Sequence, residues 1–314
     1  MIRFFGLIME NRQTVKTRRS SGTPLQKRYE PFLFIGPAIL VLLGITIYPL
    51  LYSLYMSFHS VFLTKMHLGI PFVGLGNFRA ALQDPLFWIS LKNTLVFSIV
   101  GVSLEFALGF LIALMVEALL GRTSTIIRTI LLLPMIMAPV VVALIWRFMY
   151  NTDFGIINYF LSLVGFAKQV WLSSTAMAMP AVIAMDVWQW TPFMFLILLA
   201  GLQSLPYSPY EAAYIDGASR VQAFLYITLP LLRPILLISL LLRLIDSIKT
   251  FDNIFVLTGG GPGSATELLS LYIYRVGFRH FNLGYGGAMS YILLIIVVVL
   301  SRQLIRRLRS KRDL

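Results

Sequence analysis

Long apolar runs separated by short polar ones dominate this chain. Six runs are long enough to cross a bilayer, at residues 31–58, 91–119, 126–149, 176–202, 230–256 and 284–305. A spanning helix needs about 20 predominantly apolar residues. Several runs hold internal prolines: Pro37, Pro49, Pro134, Pro139, Pro192 and Pro234. Such breaks are tolerated where neighbouring helices or a cavity satisfy the freed backbone groups. The pattern therefore predicts a packed helical bundle around a path, with three connections on one side at 59–90, 150–175 and 257–283. None of these is large enough for a separate domain.

Composition agrees with this reading. Of 314 residues, 58% are hydrophobic and 12% charged, against about 45–50% and about 25% in soluble domains. An ordinary soluble enzyme, a disordered chain and a fibrous protein are excluded. There is no cysteine, which removes disulfides, zinc–thiolate sites and cysteine nucleophiles. His59, His67 and His280 are scattered, so no histidine metal site is expected. The net charge is +13, but its placement matters more than its sum, because basic segments orient membrane proteins. Residues 1–30 form a basic arm, expected to be mostly disordered, and its apolar opening is too short and badly flanked for a signal peptide. The C-terminal stretch holds Arg302, Arg306, Arg307, Arg309, Lys311 and Arg312, and the connections 120–128 and 203–234 add Arg122, Arg128, Arg220 and Arg233. The opposite side carries only Lys65, Arg79, Lys92, Lys168, Arg275 and Arg279. The asymmetry predicts both termini inside and an even number of spans. The organisation expected is an arm (1–30), a transmembrane domain (31–306) and a tail (307–314).

The connection between the fourth and fifth runs is longer than a connector requires. Residues 205–234 read LPYSPYEAAYIDGASRVQAFLYITLPLLRP. Ser208 and Pro209 stand where a helix cap and first-turn residue would, and Glu211 follows Ser208 at capping-box spacing. Gly217 permits a turn that a Cβ would hinder. A second helical pattern places Val221, Phe224, Leu225 and Thr228 on one face, and Pro230 and Pro234 are expected to end it and start the next span. A helix–Gly–helix element results, with an Ala-lined face beside Glu211, Asp216 and Arg220. The residues alone leave two readings open, docking on a soluble partner or an interfacial helix parked on lipid.

EAAYIDGASRVQAFLYITLPLLRP (residues 211–234) closely resembles the EAA signature of permease subunits in ATP-binding-cassette importers. The match runs through Glu211, Ala212, Ala213, Asp216, Gly217, Ala218, Phe224, Leu229, Pro230 and Pro234. FVGLGNFRAAL (72–82), DPLFWISLKNTLVFS (84–98), LLLPMIMAPVVVALIWRFMYNTDFGIIN (131–158), VWQWTPFMFLILLAGLQSLP (187–206) and FDNIFVLTGGGPGSATELLSLYIYRVGF (251–278) are similar to carbohydrate permeases. They look most like the first permease of maltose, lactose, trehalose and glycerol-phosphate importers. The large outer insertion of enterobacterial maltose permeases is missing from 59–90, which implies a simpler contact with the binding protein.

The resemblance implies an all-α membrane protein with six transmembrane helices, the type I importer permease fold, and a cytoplasmic coupling helix within 205–230. It implies that Glu211, Ala212, Ala213, Asp216, Gly217, Ala218, Arg220 and Phe224 couple to an ATPase. Expected partners are a second homologous permease, two ATPase subunits, an extracytoplasmic solute-binding protein, a sugar and lipid, with no nucleic acid. Expected localisation is a bacterial or archaeal cytoplasmic membrane. No cofactor is expected on this chain, since the phosphate-loop pattern GxxxxGK[ST] is missing and TGGGPGSAT reads as a turn. ATP and magnesium would belong to the ATPase subunits, so the chain is not itself an enzyme.

Ionisable groups inside spans need a reason. Arg243, Asp246, Ser247 and Thr250 fall at i, i+3, i+4, i+7, one helical face. They read either as a stripe lining the path or, through Arg243–Asp246 and Asp246–Lys249 pairs, as bundle braces. Asn93, Glu105 and Glu117 read as bundle or interface contacts. Aligned with the family, the sugar site falls on Gln189, Trp190, Phe193, Arg243, Asp246, Ser247 and Thr250, and Arg243 leaves room for an anionic sugar derivative. A stand-alone secondary transporter would explain the spans but not the docking loop. A membrane enzyme would need a clustered catalytic set, and neither HExxH nor GxSxG occurs. A permease for a non-sugar solute is the nearer alternative.

Overall fold

The computed structural model describes residues 24–118 and 122–309. The expected arm therefore lies outside the described residues as far as position 23, and the tail from position 310. Contacts divide the chain into two units, residues 1–52 and 53–314. In chain order the helices are α1 (Pro24–Ser57), α2 (Gly76–Gln83), α3 (Pro85–Glu117), α4 (Arg122–Ile136), α5 (Pro139–Met149), α6 (Ile156–Leu163), α7 (Ala178–Gln203), α8 (Ser208–Ile215), α9 (Arg220–Ala223), α10 (Leu229–Ile248), α11 (Asp252–Leu257), α12 (Leu269–Tyr274) and α13 (Leu283–Arg309). Among the described residues there is no strand, only isolated bridges His59–Phe72 and Phe62–Asn282. Five helices are long and apolar enough to cross a membrane, and α4 with α5 make a sixth span if counted as one.

The first unit is helical from Pro24 onward. Helix therefore begins inside the segment expected to be an arm, with a proline in its first turn, where the missing N–H costs nothing. Leu40, Ile45 and Leu51 are exposed, as lipid-facing side chains are.

In the second unit α3 and α7 form the central pair. Gly109 lets them touch: a Cβ there would lie 2.7 Å from Cβ of Met194 and 2.9 Å from the Phe195 nitrogen. Close backbone approach at a small residue is how helices pack in lipid, where burial alone gives little drive. This crossing lies within one of two apolar layers along the pair. Phe97, Val182, Met185 and Ile254 make one, and Val102, Ala113, Phe195 and Leu198 the other.

Two of the expected spans are interrupted. The run 126–149 is not one straight helix, because α4 and α5 meet at an angle of 94°. Ala138, held before Pro139, is extended at φ −60, ψ 135, as a residue before proline prefers to be. The run 230–256 also stops early. Helix α10 ends at Ile248, and Phe251 is non-helical at φ −134, ψ −56 before α11 begins. Pro230 stands in the first turn of α10, as a span-opening proline should, but neither it nor Pro234 ends the helix before it. The chain is helical from Arg220 to Ile248 through a π-helical turn, Phe224–Thr228, whose wider i→i+5 pattern accommodates the donor that Pro230 lacks.

The loop end of the bundle is pinned by Asp84. It caps α3 by accepting from the Leu86 N–H at 2.8 Å, and its Oδ2 accepts from the hydroxyls of Tyr272 and, at 2.7 Å, Tyr285. One carboxylate thus ties α3, α12 and α13. Burial pushes its acidity down, but the two hydroxyls and the backbone N–H groups outweigh burial and hold the carboxyl below its usual 3.8. Burial and then the Asp84 carboxylate push the Tyr272 hydroxyl up to about 12.

Gly109→Ala should lower thermal stability in detergent by about 1–3 kcal/mol, since the new methyl meets backbone as well as side chain. An unchanged melting temperature would remove the close crossing. A depressed carboxylate gives stability that is present above the unfolded value of 3.8 and lost as pH falls through the folded one. The melting-temperature gap between wild type and Asp84→Asn should therefore be widest near neutral pH and close in acid. A gap constant with pH would contradict this.

Candidate functional site

Two regions hold the residues singled out in the sequence. The first is the helix–Gly–helix element. Helix α8 ends on Asp216, and Gly217 takes φ +76. The Gly217 N–H donates to the Tyr214 carbonyl at 3.1 Å and the Ala218 N–H to the Ala213 carbonyl at 2.9 Å. This closes the helix in a Schellman turn, which explains a glycine at 217. The cap expected at Ser208 is not there. Tyr207 is the N-cap, in αR geometry and without a side-chain bond, and Ser208 is already helical. The capping box is at α9 instead, where the Gln222 N–H donates to Ser219 Oγ at 3.3 Å and the Ser219 N–H to Gln222 Oε1 at 2.7 Å.

The single apolar face expected from Val221 to Thr228 is also corrected, because the π turn rotates it. Phe224 is half-buried and stacked on Phe110 at 6.1 Å, and Thr228 is buried and hydrogen-bonded to the Tyr210 hydroxyl at 2.9 Å. Val221 and Leu225 are exposed. Glu211, Ala212, Asp216, Gly217 and Arg220 are exposed, and Ala213 and Ala218 half-buried. Around them Tyr207, Tyr214 and Ile215 are 83%, 84% and 83% exposed. Beside the turn lies a cavity of about 370 Å³ lined by Ala213, Gly217, Ala218, Ala223 and Tyr226. This is a protruding aromatic and aliphatic surface held on a rigid turn.

The second region is a buried polar cluster between α3, α7 and α10. Arg243 is 1% exposed. Its Nε and Nη2 donate to the two Glu105 oxygens at 2.7 and 3.0 Å, a forked pair across 138 residues of chain. Nη2 also donates to Asp186 Oδ2 at 2.5 Å, and Nη1 reaches Asp246 at 3.3 Å. The guanidinium lies 4.9 Å over the Trp190 ring, and Trp190 meets Phe193 edge-on at 6.3 Å. Glu105 and Asp186 are as buried as Arg243, whereas Asp246 is half exposed and 3.8 Å from Lys249.

The polar stripe is thus divided. Arg243 and Ser247 are buried, with Ser247 Oγ donating to Ser98 Oγ at 3.0 Å. Asp246 is open. Thr250 lies beyond the helix end, where its carbonyl accepts from Ser270 Oγ at 2.5 Å. Gln189 is buried and donates at 3.2 Å to the Met137 carbonyl in the α4–α5 bend, while accepting from Asn253 at 3.0 Å. Sequence reasoning assigned no role to Asn253 or to the joint pairing of Glu105 and Asp186. The signal was present, since three ionisable groups in three different runs must find one another in hydrocarbon.

Residues 105–312 match the family described as binding-protein-dependent transport system inner membrane component. The chain belongs to that family. The trehalose/maltose transport system permease protein of Thermococcus litoralis is 43% identical over 274 residues, covering 86% of this chain and 90% of that one. A probable ABC transporter permease of Sinorhizobium fredii is 42% identical over 281 residues, 88% of each chain. The sulfoquinovosyl glycerol transport system permease protein of Agrobacterium fabrum is 34% identical over 281 residues, covering 89% and 90%. In fold the permease is similar to a chain of a bacterial ABC transporter that imports the acidic polysaccharide alginate. The TM-score is 0.79 at 24% identity, covering 92% of this chain and 99% of that one. Both charged regions of the permease lie within the matched segment.

Removing one member of a buried ion cluster strands the others. Arg243→Met should cost about 3–5 kcal/mol and lower the yield of folded permease. Arg243→Met combined with Glu105→Gln and Asp186→Asn should recover much of it. A single variant as stable as wild type in a detergent melt would show that the guanidinium does not hold the carboxylates.

Proposed function

We propose that this permease is one of two paired membrane subunits of an ATP-driven importer. It passes a sugar, a di- or oligosaccharide or sugar derivative, from an extracytoplasmic solute-binding protein to the cytoplasm. The observation that carries this reading is the exposed helix–Gly–helix element with its Schellman turn. A lipid-parked helix would need one continuous apolar face, and the π turn and exposed Glu211, Asp216 and Arg220 divide that face. The surface suits a cleft on a soluble ATPase subunit. ATP and magnesium act there, and this chain binds neither. The named relatives transport trehalose and maltose or sulfoquinovosyl glycerol, and a lactose permease of Rhizobium radiobacter is 32% identical over 289 residues, which supports a sugar over another solute. The charge asymmetry supports both termini on the cytoplasmic side of the cell membrane.

Within the path, the polar groups with open surface would meet substrate: Asp246 and Thr250, with the Trp190 and Phe193 rings beside them. Arg243, Gln189 and Ser247 hold that surface in place. With its guanidinium committed to three carboxylates, Arg243 supports a neutral sugar rather than an anionic one.

The test is reconstitution with both ATPase subunits, the partner permease and the binding protein. Wild type should couple ATP hydrolysis to uptake of labelled trehalose, maltose or lactose. Glu211→Ala and Gly217→Asp should cut uptake at least about tenfold with the bundle still folded, the second because φ +76 strains any side chain. Full coupled uptake in both variants would defeat the docking role, as would full-rate transport by the permease without an ATPase.

A further inference from the structure

Four aromatic rings form a continuous ladder that the polar cluster does not account for. Phe251 and Phe255 stack at 5.3 Å, Phe251 and Tyr274 meet at 4.9 Å, Phe255 and Tyr274 at 5.6 Å, and Tyr274 and Phe278 stack at 5.4 Å. The sequence builds it from two i, i+4 pairs. Phe251 and Phe255 open α11, and Tyr274 and Phe278 run from α12 into a π turn, Arg275–Arg279. Phe278 is 65% exposed. At the other end Phe251 directly follows Thr250, one turn beyond Asp246.

Beside the ladder opens a cavity of about 540 Å³, within the range of small-molecule sites. Phe255 and Tyr274 line it together with Leu271, Arg275, Arg279 and His280. Arg275 is braced from below. Its Nη2 donates to the Gly259 carbonyl at 2.9 Å and pairs with the buried Glu267 at 2.9 Å. Gly260 is needed there, because a Cβ would collide with the Glu267 carboxylate. The glycine-rich turn therefore serves to seat a guanidinium at the cavity edge.

An aromatic corner, in which Phe255 and Tyr274 meet edge-on with 75° between their planes, lined also by N–H donors, suits one chemistry closely. A sugar ring offers an apolar C–H face to the electron-rich face of an aromatic ring, and its hydroxyls accept from guanidinium and imidazole. A lipid chain would leave the three basic groups without use. We infer that this cavity is an entry subsite, where a sugar stacks on one of the Phe255 and Tyr274 rings and packs against the other on its way past Phe251 to the Trp190–Asp246 surface. The inference rests on the proposed sugar-import reading and on the 257–283 connection facing outward.

The test uses the whole reconstituted assembly with labelled trehalose, maltose and lactose, and with labelled methionine as the non-sugar probe. Uptake of methionine and of none of the sugars by wild type would defeat the import reading itself. With sugar uptake established, Phe255→Leu and Tyr274→Leu keep apolar bulk but lose the flat face. Each should raise KM for uptake about three- to tenfold, while Phe255→Tyr and Tyr274→Phe stay near wild type. In Tyr274→Trp, emission should shift on adding the transported sugar and not on adding methionine. Leucine variants with wild-type KM overturn the inference. So do aromatic replacements that fail as badly as leucine, or leucine variants that no longer hold the partner permease, which would make the ladder a packing or subunit contact.

Discussion

Arg243 lies where three membrane-spanning helices cross, and almost none of its surface is exposed. A guanidinium at that depth costs about 2.5–3.5 kcal/mol on insertion scales even with room to adjust. It is stable here because Glu105 on α3 and Asp186 on α7 meet it with forked and single charge-assisted bonds. The converse also holds, since neither carboxylate could stay buried without it. The cluster fixes which turns of α3, α7 and α10 face one another, and Gly101 on α3 lies beside it, where a Cβ would stand 3.8 Å from Asp186 Oδ2. Lipid gives helices little apolar reason to prefer one rotation over another, so a polar network this constrained decides the register.

The breaks in the spans follow from the same accounting of polar groups. Bending α4 against α5 frees backbone groups that hydrocarbon cannot solvate. Gln189 answers by donating to the Met137 carbonyl and is itself oriented by Asn253. The early end of α10 is closed locally, with the Lys249 and Thr250 N–H groups donating to the Asp246 and Ser247 carbonyls. The residues that looked like a path lining are thus partly the residues that make an interrupted helix possible. That gives Gln189 and Asp246 unequal standing: one is enclosed and satisfied, the other open.

Local rules carried much of this architecture. Six apolar runs correspond to five long helices and one bent pair, and a glycine at 217 announced its own turn through a positive φ. Other features depend on information that no local window contains. Ser208 read as a cap, but the αR geometry of Tyr207 draws Ser208 into α8, and the serine that does cap a helix is Ser219, at α9. Pro230 and Pro234 read as helix breakers, yet Pro230 follows a π turn and Pro234 lies inside α10. The fork between Arg243 and Glu105 spans 138 residues, so periodicity could show that Arg243 needed a partner without saying which. The i, i+3, i+4, i+7 stripe identified a face correctly through Ser247, but a face is not an environment, and packing against α3 buried half of it.

Continuity between the two sites bears on how they could act together. Arg220–Ile248 is helical over 29 residues, about 43 Å at 1.5 Å per residue. Its first turn is capped by the Ser219–Gln222 box in the exposed loop, and its last two turns hold Arg243 and Asp246. On the proposed reading, a pull on the loop is applied to one end of a lever whose other end carries the polar surface. Phe110–Phe224 stacking and the Tyr210–Thr228 bond brace the π turn at its two ends. Movement of the lever would strain the Arg243 fork before it strained the apolar layers, because charge-assisted bonds are directional and dispersion contacts are not. The two end states of transport would therefore be distinguished by how Glu105, Asp186 and Asp246 share one guanidinium, and the half-exposed Asp246, held at 3.3 Å, is the partner best placed to let go.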